Sequence, residues 1–397
     1  MDYKVVKYSE IGKIRSGKRL PKGYTVSEEI SKNKYIRVRD INNGSIDSSI
    51  VQYITDEAAE KLERYRVKTR DVIISVVGTV GAIAQIDESL NGAYLTENCD
   101  NLQVDESLCL KDYLKYYLLS EDGSKEIIAN TVGSTQPKLP IYGIENFNIK
   151  LPSIDNQKRI VKLLNSIDKK VKLNNKINNN LYELGINVFN NMYDDNNTIN
   201  LKFGDIVSLL RDGTHNPPKR VENGIPLLTG QTINNGFIEY DKMTYVSSGD
   251  YKKIHAKYEP IENDLVLTKI GTVGKVGILR KQDIPMCIHC NSALIRFDEN
   301  YLDQFTAFWF LNSNYFQTEF NKAITNTVQD FVSLGAMSNL EIKIPKFNIV
   351  NSYKEVLKNT LLKMSELNNE NCKLTKLRDT LLPKLMNGEI DLDNIEI

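Results

Sequence analysis

Between residues 156 and 192, Ile160, Leu164, Ile167, Val171, Leu181 and Val188 recur at steps of three, four and seven. That rhythm predicts one long helix with a single apolar face, built to lie against another helix. Asn174 and Asn178 fall on the same seam, where polar side chains weaken helix pairing but fix its register. A partner is predicted between Ser352 and Leu382, where Leu357, Met364, Leu367, Leu374 and Leu381 keep the same spacing and Asn371 occupies a seam position. Similar lead-ins precede the two helices, Asn146-Phe-Asn-Ile-Lys-Leu-Pro-Ser153 and Asn339-Leu-Glu-Ile-Lys-Ile-Pro-Lys346, offset by 193 residues.

The same offset runs through the rest of the chain, and a fixed period decides architecture before any local reading does. Asp71-Val-Ile-Ile-Ser-Val-Val-Gly-Thr-Val-Gly81 matches Asp264-Leu-Val-Leu-Thr-Lys-Ile-Gly-Thr-Val-Gly274 at 193, as Gln136 matches Gln329. Asn42-Asn43-Gly44 matches Asn234-Asn235-Gly236 at 192, and Tyr8-Ser-Glu-Ile11 resembles Phe203-Gly-Asp-Ile206. The expected order is globule (1–151), long helix (152–195), globule (196–345), and long helix with a tail (346–397). Within each globule, short apolar runs alternate with Gly and Asn-Gly turns, which predicts a mostly β domain with small helices such as Asp56–Tyr65 and Leu110–Leu119. Val72–Val77 is expected to be a central strand and Tyr35–Val38 another, with Arg37 and Arg39 two apart on one face. A polar break at Asp194–Thr198 starts the second globule, and Pro383 and Gly388 are expected to end the second helix. The fold class is therefore α+β: two mostly β domains separated by two long antiparallel helices that form a coiled-coil spacer, with an internal pseudo-twofold repeat.

Charge changes this picture only locally. Lys and Arg (51) balance Asp and Glu (51) over 397 residues, but residues 1 to 40 hold eleven bases against five acids, while residues 387 to 397 hold four acids and no base. The first segment can face phosphate and the tail is unsuited to it. Five irregularly spaced cysteines, with no leader and no apolar run of membrane-spanning length, point to a reduced cytoplasmic setting. Cys287-Ile-His-Cys290 has half the spacing of a zinc site but lacks a second pair, so these read as ordinary thiols and no metal is expected.

Candidate binding residues cluster on the predicted loops. Lys18, Arg19 and Lys22 lie in Ser16–Gly23; Arg211, Thr214, His215, Lys219 and Arg220 lie in its counterpart, Arg211–Arg220. Arg37, Arg39, Thr79, Gln136 and Lys138 complete the first set, and Gln231, Lys269, Thr272 and Gln329 the second. Long cations can contact guanine edges or phosphates, and Thr, His, Asn and Gln suit short-range hydrogen bonds to bases. Solvated surface charge is the plain alternative for any one of them, and the Gly-Thr-Val-Gly turns are equally readable as tight hairpins. Two chemical motifs fail: Asn216-Pro-Pro-Lys219 has lysine where an aromatic ring would stack on a flipped base, and Gly271-Thr-Val-Gly-Lys275 is too short for a phosphate loop. With three histidines and no recurring acid pair, no acid-base constellation stands out.

Taken together, Asp212-Gly-Thr-His-Asn-Pro-Pro-Lys219, both Gly-Thr-Val-Gly turns, Leu151-Pro152 and Ile344-Pro345, Gln157-Lys-Arg-Ile160 and Leu381-Leu-Pro-Lys-Leu-Met-Asn-Gly-Glu-Ile390 resemble the DNA-specificity subunit of Type I restriction–modification systems. The first half departs at Ser16-Gly-Lys-Arg, where the second has Asp-Gly-Thr-His. The resemblance implies a non-catalytic chain that reads double-stranded DNA. It also implies two adenine-methyltransferase subunits docked against the helices, restriction subunits joining that core, and S-adenosylmethionine, ATP and Mg held by those partners. Helices of this length, roughly 50 Å at 1.5 Å per residue, would set the globules at opposite ends of a spacer and read an asymmetric two-part target with an unread gap. A non-reading interaction scaffold, an anti-restriction decoy of the same shape and a self-sufficient methyltransferase are the competing expectations.

Overall fold

The computed structural model describes residues 3–42, 44–48, 50–193, 197–213, 218–241, 243–325 and 330–390. They form two compact units: residues up to Val171 together with those from Lys373 onward, and Lys172–Cys372. Each unit takes one globule and one portion of each long helix.

The apolar run at 72 dictates the centre of the first unit. Val72–Ser75 is buried at every residue and lies inside a four-stranded antiparallel sheet, in the order Gly12–Ser16, Cys99–Val104, Val72–Ser75, Ile83–Gln85. Successive side chains of a strand face opposite ways. Val72 and Ile74 accordingly enter a core with Leu102, Tyr113, Leu114, Tyr117, Phe147 and Ile149, while Ile73 enters a second core with Ile36, Ala84 and Leu95. A strand covered on both sides has no polar face to show, hence the near-continuous apolar run. The second core lies against a small sheet, Gln52–Tyr53, Lys34–Ile36 and Tyr94–Leu95, whose last pair is parallel. A ribbon of Lys4–Lys7 with Asn148–Leu151 brings the ends of the globule together.

The second unit repeats the main sheet of this plan, while its small sheet has a fourth strand, Arg220–Val221. Its main sheet runs Val207–Asp212, Ser292–Phe297, Leu265–Thr268, Val276–Ile278. Register is preserved as well as order: Leu102 pairs with Val72 and Ile295 with Leu265, each 193 residues on. Leu265 and Leu267 again face one core and Val266 the other. The hairpin Ile233–Asn234/Phe237–Ile238 turns on Asn235 and Gly236, both at positive φ (47° and 83°), as a two-residue hairpin loop of this kind requires.

The long helices run Ile154–Asn190 and Phe347–Met386. In the first unit Ile160 and Leu164 share the core with Leu382, Leu385 and Met386, and Arg378 Nη1 meets Asp168 Oδ1 at 3.2 Å. In the second, Asn174 Nδ2 donates to Glu370 Oε2 (2.8 Å) and Asn371 Oδ1 (2.9 Å), and Asn371 Nδ2 to Asn175 Oδ1 (2.7 Å). In the first unit rising numbers on one helix meet falling numbers on the other, 160 and 164 near 382–386 and 168 at 378, so the pairing is antiparallel. The seam asparagines find one another across it, as a register-setting polar layer should. At seam position 185 the residue is Gly185, and the indole of Trp309 occupies the space a side chain would fill: a Cβ there would lie 2.2 Å from Trp309 Cη2. Gln157, fully buried, donates to the carbonyls of Leu108 and Pro152 and accepts from Leu110 N, clamping the start of the first helix to its globule.

Two local expectations need correction. Arg37 and Arg39 do not share a strand face: the strand ends at Ile36, and Val38–Asp40 curls into a 3₁₀ turn because the buried Asp40 carboxylate accepts from Arg37 N at 2.8 Å. The second long helix passes through Pro383 and ends at Met386, since a proline in the last turn forfeits one hydrogen bond there and Gly388 (φ 73°) supplies the exit. Among the described residues no helix is long and apolar enough to cross a membrane.

Candidate nucleic-acid interface

In each globule a basic loop leaves the edge strand of the main sheet at a glycine that no other residue could replace. A Cβ on Gly17 would lie 2.0 Å from the Thr96 carbonyl oxygen, and one on Gly213 would lie 2.1 Å from that of Ile288. Both glycines approach the same pair of carbonyls in the repeat, Leu95 and Thr96 (2.6 and 2.0 Å) or Ile288 and His289 (2.1 and 2.5 Å), since 288 is 95 plus 193. Tyrosine hydroxyls hold the loop bases from the other side: Tyr35 donates to Lys18 O at 2.9 Å, and Tyr258 donates to Asp212 O.

In the first globule this arrangement gathers three of the sequence-selected cations. Arg19, Arg37 and Arg39 line a shallow groove of about 390 Å³ together with Thr96, Glu97, Asn98 and the apolar side chains of Leu20, Val26, Tyr35 and Val38. Arg39 is exposed, whereas Arg37 is half-buried, its guanidinium held by Asp40 (3.3 Å) and Gln52. Arg19 Nε donates to Glu97 Oε1 at 2.5 Å. Burial pushes the Glu97 carboxyl up, but Arg19, its own backbone N–H and Thr96 outweigh that and hold it below the ordinary carboxylate range. Lys18 and Lys22 are exposed on the loop. Beside the groove, Val76 N donates to Asn98 O, and Val77 pairs with Lys138, whose backbone also pairs with Val132. That ladder places the exposed Thr79, Gln136 and Lys138 on the neighbouring rim.

The second globule builds the same ladder. Lys269 N and Ile270 N donate to Asn291 O, Gly271 N to Asp330 O, and Ile270 pairs with Phe331. Arg211, Lys219, Arg220, Gln231 and Thr272 are exposed around it. Burial, then the charge of Arg220, depresses the His289 imidazole. Lys269 is elsewhere: its side chain is 6% exposed and its Nζ meets Asp212 Oδ1 at 2.9 Å, beneath the loop rather than on it. Thr214, His215 and Gln329 lie outside the described residues, as do Asn216 and Pro217 of the Asn-Pro-Pro-Lys motif. Cys287 is packed with Leu227 and Val246, and burial pushes its thiol up to about 12.

The recurring Gly-Thr-Val-Gly turn has an internal explanation. Ser75 Oγ donates to Thr79 O and accepts from Ala82 N; Thr268 Oγ1 does the same with Thr272 O and Lys275 N. The second glycine packs against protein, Gly81 on Ile127 and Gly274 on Gln317, while the first, Gly78 or Gly271, is open. The segment sequence reasoning missed is Thr96-Glu97-Asn98 and its counterpart His289-Cys290-Asn291. The signal was present, because Asn98 and Asn291 are identical at offset 193.

Residues 1–183 match the family model described as "Type I restriction modification DNA specificity domain". Over those residues the chain is similar to the DNA-specificity domain of Type I restriction–modification systems. Among similar proteins are two Methanocaldococcus jannaschii Type I restriction enzyme specificity subunits. The MjaVIII subunit is 22% identical over 67% of this chain and 68% of its own length, and the MjaIX subunit is 22% identical over 72% and 70%. The fold matches the crystal structure of a Type I restriction–modification S subunit from M. genitalium, with TM-score 0.60, 16% identity and coverage of 97% of this chain and 96% of that one.

Proposed function

We propose that each globule reads one half of an asymmetric, two-part DNA target, and that the helical residues joining the globules set the unread gap. One observation carries this reading: the repeat keeps the loop root, the ladder and the turn, yet changes the side chains that line them, with Thr96-Glu97-Asn98 answering to His289-Cys290-Asn291. Equal frames with unequal linings suit two different half-sites. The long helices offer exposed apolar positions, among them Leu173, Leu184, Val356 and Leu377, for two methyltransferase subunits, with restriction subunits joining that core. S-adenosylmethionine, ATP and Mg belong to those partners, and this chain contributes recognition without chemistry of its own. The boundaries 1–151, 152–195, 196–345 and 346–397 serve as the functional division.

Co-expressing the chain with its methyltransferase subunit and mapping methylated adenines across host DNA tests the proposal. The expected result is a single two-part motif, altered in one half only by Arg211→Ala with Arg220→Ala, and in the other half only by Arg39→Ala. A stable complex that methylates nothing would favour a scaffold or decoy. Adding four residues to both helices, roughly 6 Å, should lengthen the gap by one or two base pairs at ~3.4 Å each; an unchanged gap would refute the spacer.

A further inference from the structure

Glu97 is the one acid among the residues that line the groove, where Arg19, Arg37 and Arg39 are the cations. A carboxylate there weakens attraction for phosphate, and an ion pair with an arginine as exposed as Arg19 (80%) stabilises a fold very little. What the surroundings do is aim it. Arg19 Nε holds Oε1 at 2.5 Å and Thr96 Oγ1 donates to Oε2 at 2.9 Å, fixing both oxygens without exhausting their roughly four lone-pair sites. The side chain keeps 28% exposure toward the groove. An ionised, oriented acceptor flanked by cations suits a donor carried by a polyanion. On a DNA major-groove edge the donors are the exocyclic amino groups, cytosine N4 and adenine N6.

We propose that Glu97 is a specificity-determining residue of the first globule, accepting a hydrogen bond from one exocyclic amino group in its half-site, beside the arginines that line the same groove. This rests on the reading of the first globule as a DNA reader. The equivalent position in the second globule is Cys290, a weak acceptor, so the contact is private to the first half-site.

The test uses the full chain with its modification subunits, as wild type, Glu97→Ala and Glu97→Gln, selecting bound duplexes from a random library at low salt. The wild type should select two half-sites. Glu97→Ala should lower the preference at one position of the first half-site by roughly 5- to 150-fold, the worth of one good base contact, leaving the second half-site unchanged. The pair at that position identifies the source, cytosine if G·C and adenine if A·T. Removing that amino group from the selected duplex, with 2-pyrimidinone for cytosine or purine for adenine, should weaken the wild type by a similar factor and leave Glu97→Ala unaffected. Glu97→Gln, which keeps an acceptor oxygen without the charge, should fall between them. Unchanged selection by both variants, a uniform loss at every position, or equal sensitivity of wild type and Glu97→Ala to the missing amino group would overturn the inference alone. A wild type that selects no sequence would overturn the DNA-reading proposal and this inference with it.

Discussion

Replacing Gly185 by alanine should destabilise the second unit, although the same change in an open helix would strengthen it. Alanine is preferred to glycine in a helix interior by about 0.8–1.0 kcal/mol. Here the new methyl would lie 2.2 Å from Trp309 Cη2 and 2.4 Å from Cζ2 and Cζ3. Carbon atoms rest at about 3.5–4.0 Å, so the indole must retreat by more than ~1 Å. It has nowhere to go: Trp309 is fully buried, with Phe308 and Tyr182 rings at 5.2 and 5.8 Å between centroids, and its Nε1 donates to Leu357 O at 3.1 Å. Overpacking of this kind costs about 1–3 kcal/mol, and losing the hydrogen bond adds about 1 kcal/mol. After subtracting the helix gain, Gly185→Ala should lose about 1–3 kcal/mol. Trp309 is the single tryptophan of the chain, so urea unfolding followed by its fluorescence reports on this contact directly. In the Trp309→Phe background, followed by circular dichroism, the loss should shrink, because the ring that is struck is gone. A Gly185→Ala protein that is more stable than wild type, or the same loss in both backgrounds, would refute the packing argument.

Three further outcomes follow from contacts described above or adjoining them. His255, 3% exposed between Tyr251 and Tyr258, has its imidazole pushed by burial down to about 4, against a backbone hydrogen bond at Tyr258 that raises it. Between about pH 6.5 and 4 the unfolded chain therefore binds a proton that the folded chain refuses. Stability should fall with pH across that window, by about 2.5 kcal/mol at pH 4.5; denaturant titrations of His255→Leu should lack this component of the slope. Arg280 donates to the fully buried Asp283 and, through Nη1, to Asn368 Oδ1 (2.8 Å) and Asn369 Oδ1 (2.9 Å) of the second long helix. Arg280→Ala should cost about 3 kcal/mol by stranding that carboxylate, and hydrogen exchange should show faster opening around 365–372; unchanged protection there would argue against the clamp. Replacing Asn174 and Asn371 together by leucine should raise the midpoint of thermal unfolding, since the Asn174 Oδ1 atom is buried without a partner, while permitting shifted helix registers detectable by engineered cross-links. A lower midpoint would mean the polar layer stabilises the pair outright.

Much of this architecture was legible because a repeat converts weak local signals into strong ones. The helix seam could be read from Ile160 to Val188, and the polar layer at Asn174 and Asn371 could be anticipated, because helix periodicity is a one-dimensional property. The groove was harder. Arg37 resembles a strand residue until the Asp40 carboxylate bends the chain beneath it, and Lys269 resembles a surface cation until Asp212 draws it under the loop. Both depend on a side chain brought near by tertiary structure. Glu97 escaped for a related reason: an isolated acid carries no motif, and its meaning comes from arginines that lie 78, 60 and 58 positions earlier in the chain (97 − 19, 97 − 37, 97 − 39). Gly17 and Gly213 show the converse, since both adopt ordinary backbone angles and are required only by carbonyls contributed from a distant strand.

The division of each long helix between two compact units also bears on how the protein is made. The Tyr3 hydroxyl donates to Leu385 O at 2.7 Å across 382 positions, and Leu382, Leu385 and Met386 complete the core that Val72 and Ile74 began. A ribosome reaches residues 373–386 only after it has delivered the whole of 172–372. The unit started first is thus finished last, whereas the unit started second has all its parts in hand earlier, reversing the usual order in which domains mature as they emerge. Until that closing segment arrives, the nascent first globule must carry Ile160 and Leu164 without their helical partner. In that interval the apolar face they share is exposed, the condition under which unfinished chains aggregate.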